Sequence, residues 1–169
     1  MILLSGPTSS GKTTLAQVLQ ERLSTPERPF LLMEADKLGM PSRPKHWNED
    51  KERQRFGRAF RRSVEGYLSE GYDIILDGIL PYGDQDLLSD ALEIYRAHRL
   101  CYVGVSCSLE MLEKRVSERP DRDMGFVRRQ HADIHEGQKY DVEIDTTDGN
   151  LRDGIETVVA FLRETDTFQ

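Results

Sequence analysis

The chain has 169 residues, 37% of them hydrophobic and 31% charged, with a formal net charge of −7. This is one domain's worth of chain with enough apolar content for a core. The acidic balance argues against a nucleic-acid-binding surface, which needs a basic patch, and no apolar run reaches membrane-spanning length.

The first element is a buried strand, Ile2-Leu-Leu-Ser5, which runs straight into Gly6-Pro7-Thr8-Ser9-Ser10-Gly11-Lys12-Thr13. Only Met1 to Leu4 is apolar before that loop, too little for a signal peptide, so a cytoplasmic protein is expected. The loop is a complete G-x-x-x-x-G-K-[ST] sequence. A helix over Thr14–Leu23 follows it, with Leu15, Val18, Leu19 and Leu23 on one face. Strand, loop and helix in this order form the setting in which such a loop wraps phosphates. The glycines let backbone N–H groups turn inward, and the helix start adds its positive dipole end. Gly6 to Thr14 are thus the expected ATP contacts. Lys12 reaches the outer phosphates, and Thr13 is placed to ligate Mg²⁺.

Ser24–Pro29 breaks the helix, and Phe30 to Glu34 forms the second strand, ending in Ala35-Asp36. In small-molecule kinases of this architecture that point faces the acceptor. A carboxylate there can take the proton of an attacking hydroxyl, which makes Asp36 the candidate base. A helix N-cap is the plain alternative for Asp36. Glu34 shares its face and is the alternative base. A proline-rich polar stretch, Lys37 to Asp50, precedes a long helix over 51–69 with Phe56, Phe60, Val64 and Tyr67 inward. The arginines of that helix, Arg53, Arg55, Arg58, Arg61 and Arg62, read best as a solvated face.

The third strand, Tyr72–Leu76, ends in Asp77-Gly78. An acid at the end of an apolar strand, beside a phosphate loop, is the pattern of a Mg²⁺-holding group, directly or through water. A turn aspartate before Gly78 would look the same. A helix over 85–96 and a fourth strand over 100–106 follow, then a helix marked by Leu109, Leu112 and Val116. Cys101 and Cys107 lie too far apart along that strand to pair and read as buried thiols.

Residues 119–130 form an arginine-rich connection, flanked on its N-terminal side by Arg115 and carrying Arg119, Arg122, Arg128 and Arg129. Guanidinium groups stabilise the charge that phosphoryl transfer places on oxygen, and a mobile segment can carry them over ATP. Arg119 and Arg122 are the expected contacts of this lid. The bland reading is a charged helix paired with Glu113, Glu118, Asp121 and Asp123. His131 and His135 are spaced i, i+4, but nothing acidic or cysteinyl completes a metal site. His135 reads as a structural or substrate-side hydrogen-bonding group. A short strand over 141–145 and a helix over 151–162 close the chain.

Alternating strands and helices predict an α/β fold: a three-layer sandwich, one parallel sheet covered by helices on both faces, of the P-loop kinase type, in a single domain over 1–169. Such a sheet brings the loop, Asp36 and Asp77 to one edge.

Asp121-Arg-Asp-Met-Gly125, Gln130, His135-Glu-Gly137 and Tyr140-Asp-Val-Glu-Ile-Asp-Thr-Thr147 resemble the C-terminal signature of chloramphenicol phosphotransferase-like proteins. Val103–Cys107, and Asp36 with Met40-Pro41 after it, are similar to the same family. The resemblance implies an ATP-dependent O-phosphotransferase acting on a hydroxyl of a small molecule, an antibiotic among the candidates. It implies Asp36 as general base, the Lys12/Thr13 loop as the ATP and Mg²⁺ site, and Arg119 and Arg122 as lid arginines. The fold would set Tyr140–Thr147 near the adenine. Two departures concern the acceptor. Gly78 stands where the family's chloramphenicol enzyme has a second acid. The segments Lys37–Asp50 and Ile79–Asp86 do not closely resemble that enzyme; they bring Arg43, Lys45, His46, Trp47 and Tyr82. The rival readings are a nucleoside, nucleotide or sugar kinase on this scaffold, or a nucleotide-dependent switch or toxin-like regulator.

Overall fold

The computed structural model describes residues 1–37, 50–78, 85–119 and 123–165, apart from the side chains of residues 36 and 50–53. The acceptor-side residues Arg43, Lys45, His46, Trp47 and Tyr82 and the lid residue Arg122 lie outside the described residues.

The elements in chain order are β1 (Ile2–Ser5), α1 (Lys12–Leu23), β2 (Phe30–Glu34), a short 3-10 turn (Ala35–Lys37), α2 (Asp50–Ser69), β3 (Asp73–Asp77) and α3 (Gln85–Arg96). They continue with β4 (Cys101–Ser106), α4 (Leu109–Ser117), α5 (Met124–Asp133), β5 (Val142–Asp145) and α6 (Arg152–Glu164). The five strands form one sheet in the order β2-β3-β1-β4-β5, every adjacent pair parallel.

Strand parity builds the two halves of the core. Ile2, Leu4, Ile75, Cys101, Val103 and Val105 point to one face, where Leu15 and Leu19 of α1 and Val158 and Leu162 of α6 cover them. Leu3, Ile74, Leu76 and Tyr102 point to the other, under Phe60, Val64 and Leu68 of α2 and Ala91 and Tyr95 of α3. Both faces are covered, so the central strands are apolar at nearly every position. A third cluster joins α4 to α5 through Leu112, Val116 and Val127, with Cys107. Both cysteines are free and buried, and burial pushes the Cys101 thiol up to about 12.

Two local expectations change. The inward face of α2 runs Phe56, Phe60, Val64, Leu68; Tyr67 is 45% exposed and meets Tyr72 edge-on at 5.8 Å. Spacing by four carries the stripe to 68, and the tyrosine turns to the neighbouring turn instead. The arginine-rich connection is also shorter than expected, because α5 begins at Met124. Asp123 caps that helix by accepting from the Phe126 N–H at 2.6 Å. On α2, Arg55, Arg58 and Arg62 face solvent, while Arg61 is half-buried and lies 3.7 Å from Asp90. Among the described residues, no helix is long and apolar enough to cross a membrane.

Candidate active site

The phosphate loop leaves the central strand β1 under tight steric control. A Cβ on Gly6 would lie 2.1 Å from the carbonyl oxygen of Val105 in β4, so only glycine lets the chain pass there. The chain then turns sharply: Ser10 N–H donates to Pro7 O at 3.2 Å, and Ser9 takes φ 66°. Gly11 follows with φ 94° and leads into α1. That helix has no side-chain cap and no acid in its first turn. Its N-terminal N–H groups and dipole are therefore not neutralised from within, as an anion site requires.

The loop's side chains converge. The Lys12 ammonium donates to Gly6 O and Pro7 O, both at 2.9 Å, and so spans the loop's mouth. The Ser9 and Ser10 hydroxyl oxygens are buried and make no hydrogen bond among the described residues. Thr13 and Thr14 are exposed at the start of α1. The Thr13 hydroxyl donates to Asp77 Oδ2 at 2.6 Å, across a sequence separation of 64 residues. Parallel register makes this meeting possible: Asp77 ends β3 beside Leu4 of β1.

Asp36 sits in the 3-10 turn after β2, and its side chain lies outside the described residues. Its backbone position follows from register, since Glu34 is the partner of Asp77 across β2 and β3. The ends of these strands are in close contact. A Cβ on Gly78 would come within 2.3 Å of the Ala35 Cβ, so the position beside Asp77 has no room for a side chain. Glu34, the alternative base, is ion-paired with Lys37.

The arginines separate by role. Arg115 is turned onto the back of the phosphate loop: Nη1 donates to Ser9 O at 3.2 Å, and Nη2 to Thr146 O at 2.7 Å. Arg119 is exposed at the end of α4. Arg128 pairs with Glu113 at 2.6 Å, and Arg129 lies over the Phe126 ring at 5.8 Å. For Arg128 this is the charged-helix pairing that its composition also allowed.

Three loop contacts join residues whose partners the sequence does not show. Gln130 Oε1 accepts from the Thr8 N–H at 2.8 Å. The Thr146 hydroxyl donates to Ser10 O at 2.6 Å, and Arg115 completes the set. Thr146 belongs to the 140–147 block, so part of that block supports the loop from behind. Tyr140 lies farther down: its ring packs on Gly104 of β4, and its hydroxyl lies 3.4 Å from Ser5 Oγ and 2.8 Å from His135 Nδ1.

Burial, more than any charge, holds His135 below its ordinary 6.5. Nearby His131 and Lys12 lower it further, and Glu143 opposes them. The unfolded chain therefore binds this proton more readily than the folded one. The contribution is fully present above 6.5 and is lost as pH falls through 6.5 toward the folded value. Urea unfolding midpoints measured between about pH 5.5 and 7.5 should drop on the acid side for the natural chain and drop less for His135→Gln. Equal slopes for the two proteins would refute this.

A phosphate loop after the central strand of a β2-β3-β1-β4-β5 parallel sheet, with an acid ending the adjoining strand, is the fold of the P-loop kinases. The chain belongs to the chloramphenicol phosphotransferase-like family, whose model matches residues 1–163. Two Mycobacterium tuberculosis proteins, of strains CDC 1551 and H37Rv, each provisionally named an O-phosphotransferase, are 27% identical over 170 residues. The match covers 87% of this chain and 75% of theirs. Among solved structures, an M. tuberculosis APS kinase in complex with AMPPNP and APS is similar at TM-score 0.72 and 14% identity, covering 96% of each chain. A gluconokinase from Sinorhizobium meliloti is similar at TM-score 0.69 and 17% identity, covering 97% of this chain and 91% of that one. Family and fold make the chain a phosphotransferase of the small-molecule kinase type.

Proposed function

We propose that the protein transfers the γ-phosphate of ATP to a hydroxyl group of a small molecule, with an antibiotic hydroxyl among the candidate acceptors. The contact between Thr13 and Asp77 carries the reading. It joins a hydroxyl of the phosphate loop to a carboxylate at the strand end, and hard oxygen donors of this kind suit Mg²⁺. Bound there, Mg²⁺ would neutralise charge on the β- and γ-oxygens.

The chain's own groups divide the remaining work. Gly6 to Thr14 cradle the phosphates, with Lys12 placed at the mouth for the β- and γ-oxygens. Asp36 accepts the proton of the acceptor hydroxyl as its oxygen bonds to the γ-phosphorus. The bond to the β–γ bridging oxygen breaks, and ADP leaves. Arg119 and Arg122, on the segment that joins α4 to α5, meet the charge on the transferred group. Two buried free thiols fit a reducing, cytoplasmic setting.

The close contact of Gly78 with Ala35 favours an acceptor other than chloramphenicol itself, because the second acid of that enzyme is sterically excluded here. The test is incubation with Mg²⁺ and ATP against a panel of hydroxylated antibiotics, nucleosides and sugars, chloramphenicol included. The expected result is a gain of one HPO₃ unit on one acceptor class. ATP turnover with no acceptor modified, together with a stable protein partner, would favour a nucleotide switch instead.

A further inference from the structure

The Pro7–Ser10 turn carries an uncommon feature: a non-glycine residue, Ser9, at φ 66° in its third position. Left-handed backbone at a side-chain-bearing residue persists only where the surroundings impose it. Two long side chains from outside the loop hold backbone groups of Ser9 and of the residue before it. Arg115 of α4 takes Ser9 O, and Gln130 of α5 takes the Thr8 N–H. Gln130 is only 3% exposed, an unusual place for an amide unless its polar atoms are used. Its carbonyl spans 122 residues of sequence to reach one specific loop N–H. That donor is therefore taken from behind, and phosphate must be met by the loop's other N–H groups and the start of α1.

We propose that Gln130 is a positioning residue for nucleotide binding. By holding the Thr8 N–H it fixes the turn that places Ser9 and Ser10, and so sets the loop's grip on the triphosphate. This rests on the ATP-binding reading above. Losing the carbonyl leaves the half-buried Thr8 N–H without this acceptor, and the turn is then free to rotate that donor toward another one.

The test is a double-mutant cycle on AMPPNP binding with Mg²⁺, read by calorimetry beside the thermal midpoint of each protein. Gln130→Leu keeps the bulk and removes the acceptor. Thr8→Pro removes the donor and suits the second position of a turn whose third residue has positive φ. Gln130→Leu is expected to weaken AMPPNP by about tenfold in the natural chain and to add little in the Thr8→Pro background, where the donor of this bond is already gone and the proline holds the turn. Gln130→Leu with a lowered midpoint but unchanged AMPPNP affinity would overturn the proposal, because a purely structural buttress behaves that way. Additive losses in the double variant would overturn it too. If Gln130→Leu does not fold, Gln130→Met, which also lacks the carbonyl, takes its place: unchanged AMPPNP affinity there overturns the proposal. Failure of the natural chain itself to bind AMPPNP would sink the ATP reading and this inference with it, whereas normal binding with insensitive variants would sink the inference only.

Discussion

Asp36→Asn should lower kcat by about a thousandfold, the middle of the range for a positioned general base, while AMPPNP affinity stays within about twofold. The asymmetry follows from position. Asp36 lies just beyond β2, one strand removed from the phosphate loop's own strand, with β3 between them. A carboxylate there can face an acceptor hydroxyl and makes no call on the nucleotide. Asparagine keeps the shape and removes the proton acceptor, so the loss should fall on the chemical step. Steady-state kinetics with the acceptor found by the panel, paired with calorimetry on AMPPNP, separates the two quantities. Retained turnover would move the base role elsewhere. Glu34 would come first, but its pairing with Lys37 already commits its charge.

Gly6→Ala should disable the loop and weaken the fold together. The added methyl would meet a backbone carbonyl at 2.1 Å, and a backbone atom cannot swing aside as a side-chain tip can. Either β1 and β4 separate or the loop leaves its path. Overpacking of this kind costs about 3 kcal/mol, or roughly 6–12 °C in Tm for a chain of this size. AMPPNP should then fail to raise Tm, because the displaced loop no longer presents its donors. A variant that melts within about 2 °C of the natural chain and is still stabilised by AMPPNP would contradict the steric argument.

The sequence was most legible where one short segment carries both structure and chemistry. The phosphate loop announces its strand and its helix at once, and Asp77 could be placed beside that loop because it ends an apolar run. Contacts made by ordinary residues far apart in sequence were hidden. Gln130 sits among Arg128, Arg129 and His131, where nothing in the local pattern distinguishes a buried amide from a solvated one. Its partner, the Thr8 N–H, is a backbone group that no side-chain pattern reports. Arg115 was legible as a cation near the nucleotide, but the direction of its side chain, back onto Ser9 and Thr146, depends on how α4 packs. Helix α5 was obscured for a related reason: Val127 and Ile134 are buried, but the polar Gln130 between them interrupts the apolar spacing.

The near-touching ends of β2 and β3 constrain how this enzyme could diverge. An acid cannot be gained at position 78 by one substitution. The methyl of Ala35 must shrink first, or the two strands must part, and parting them would carry the neighbouring Asp36 with them. A change of acceptor through this corner is thus a coordinated event, in which the reach of a new carboxylate and the seat of the existing one are inherited together.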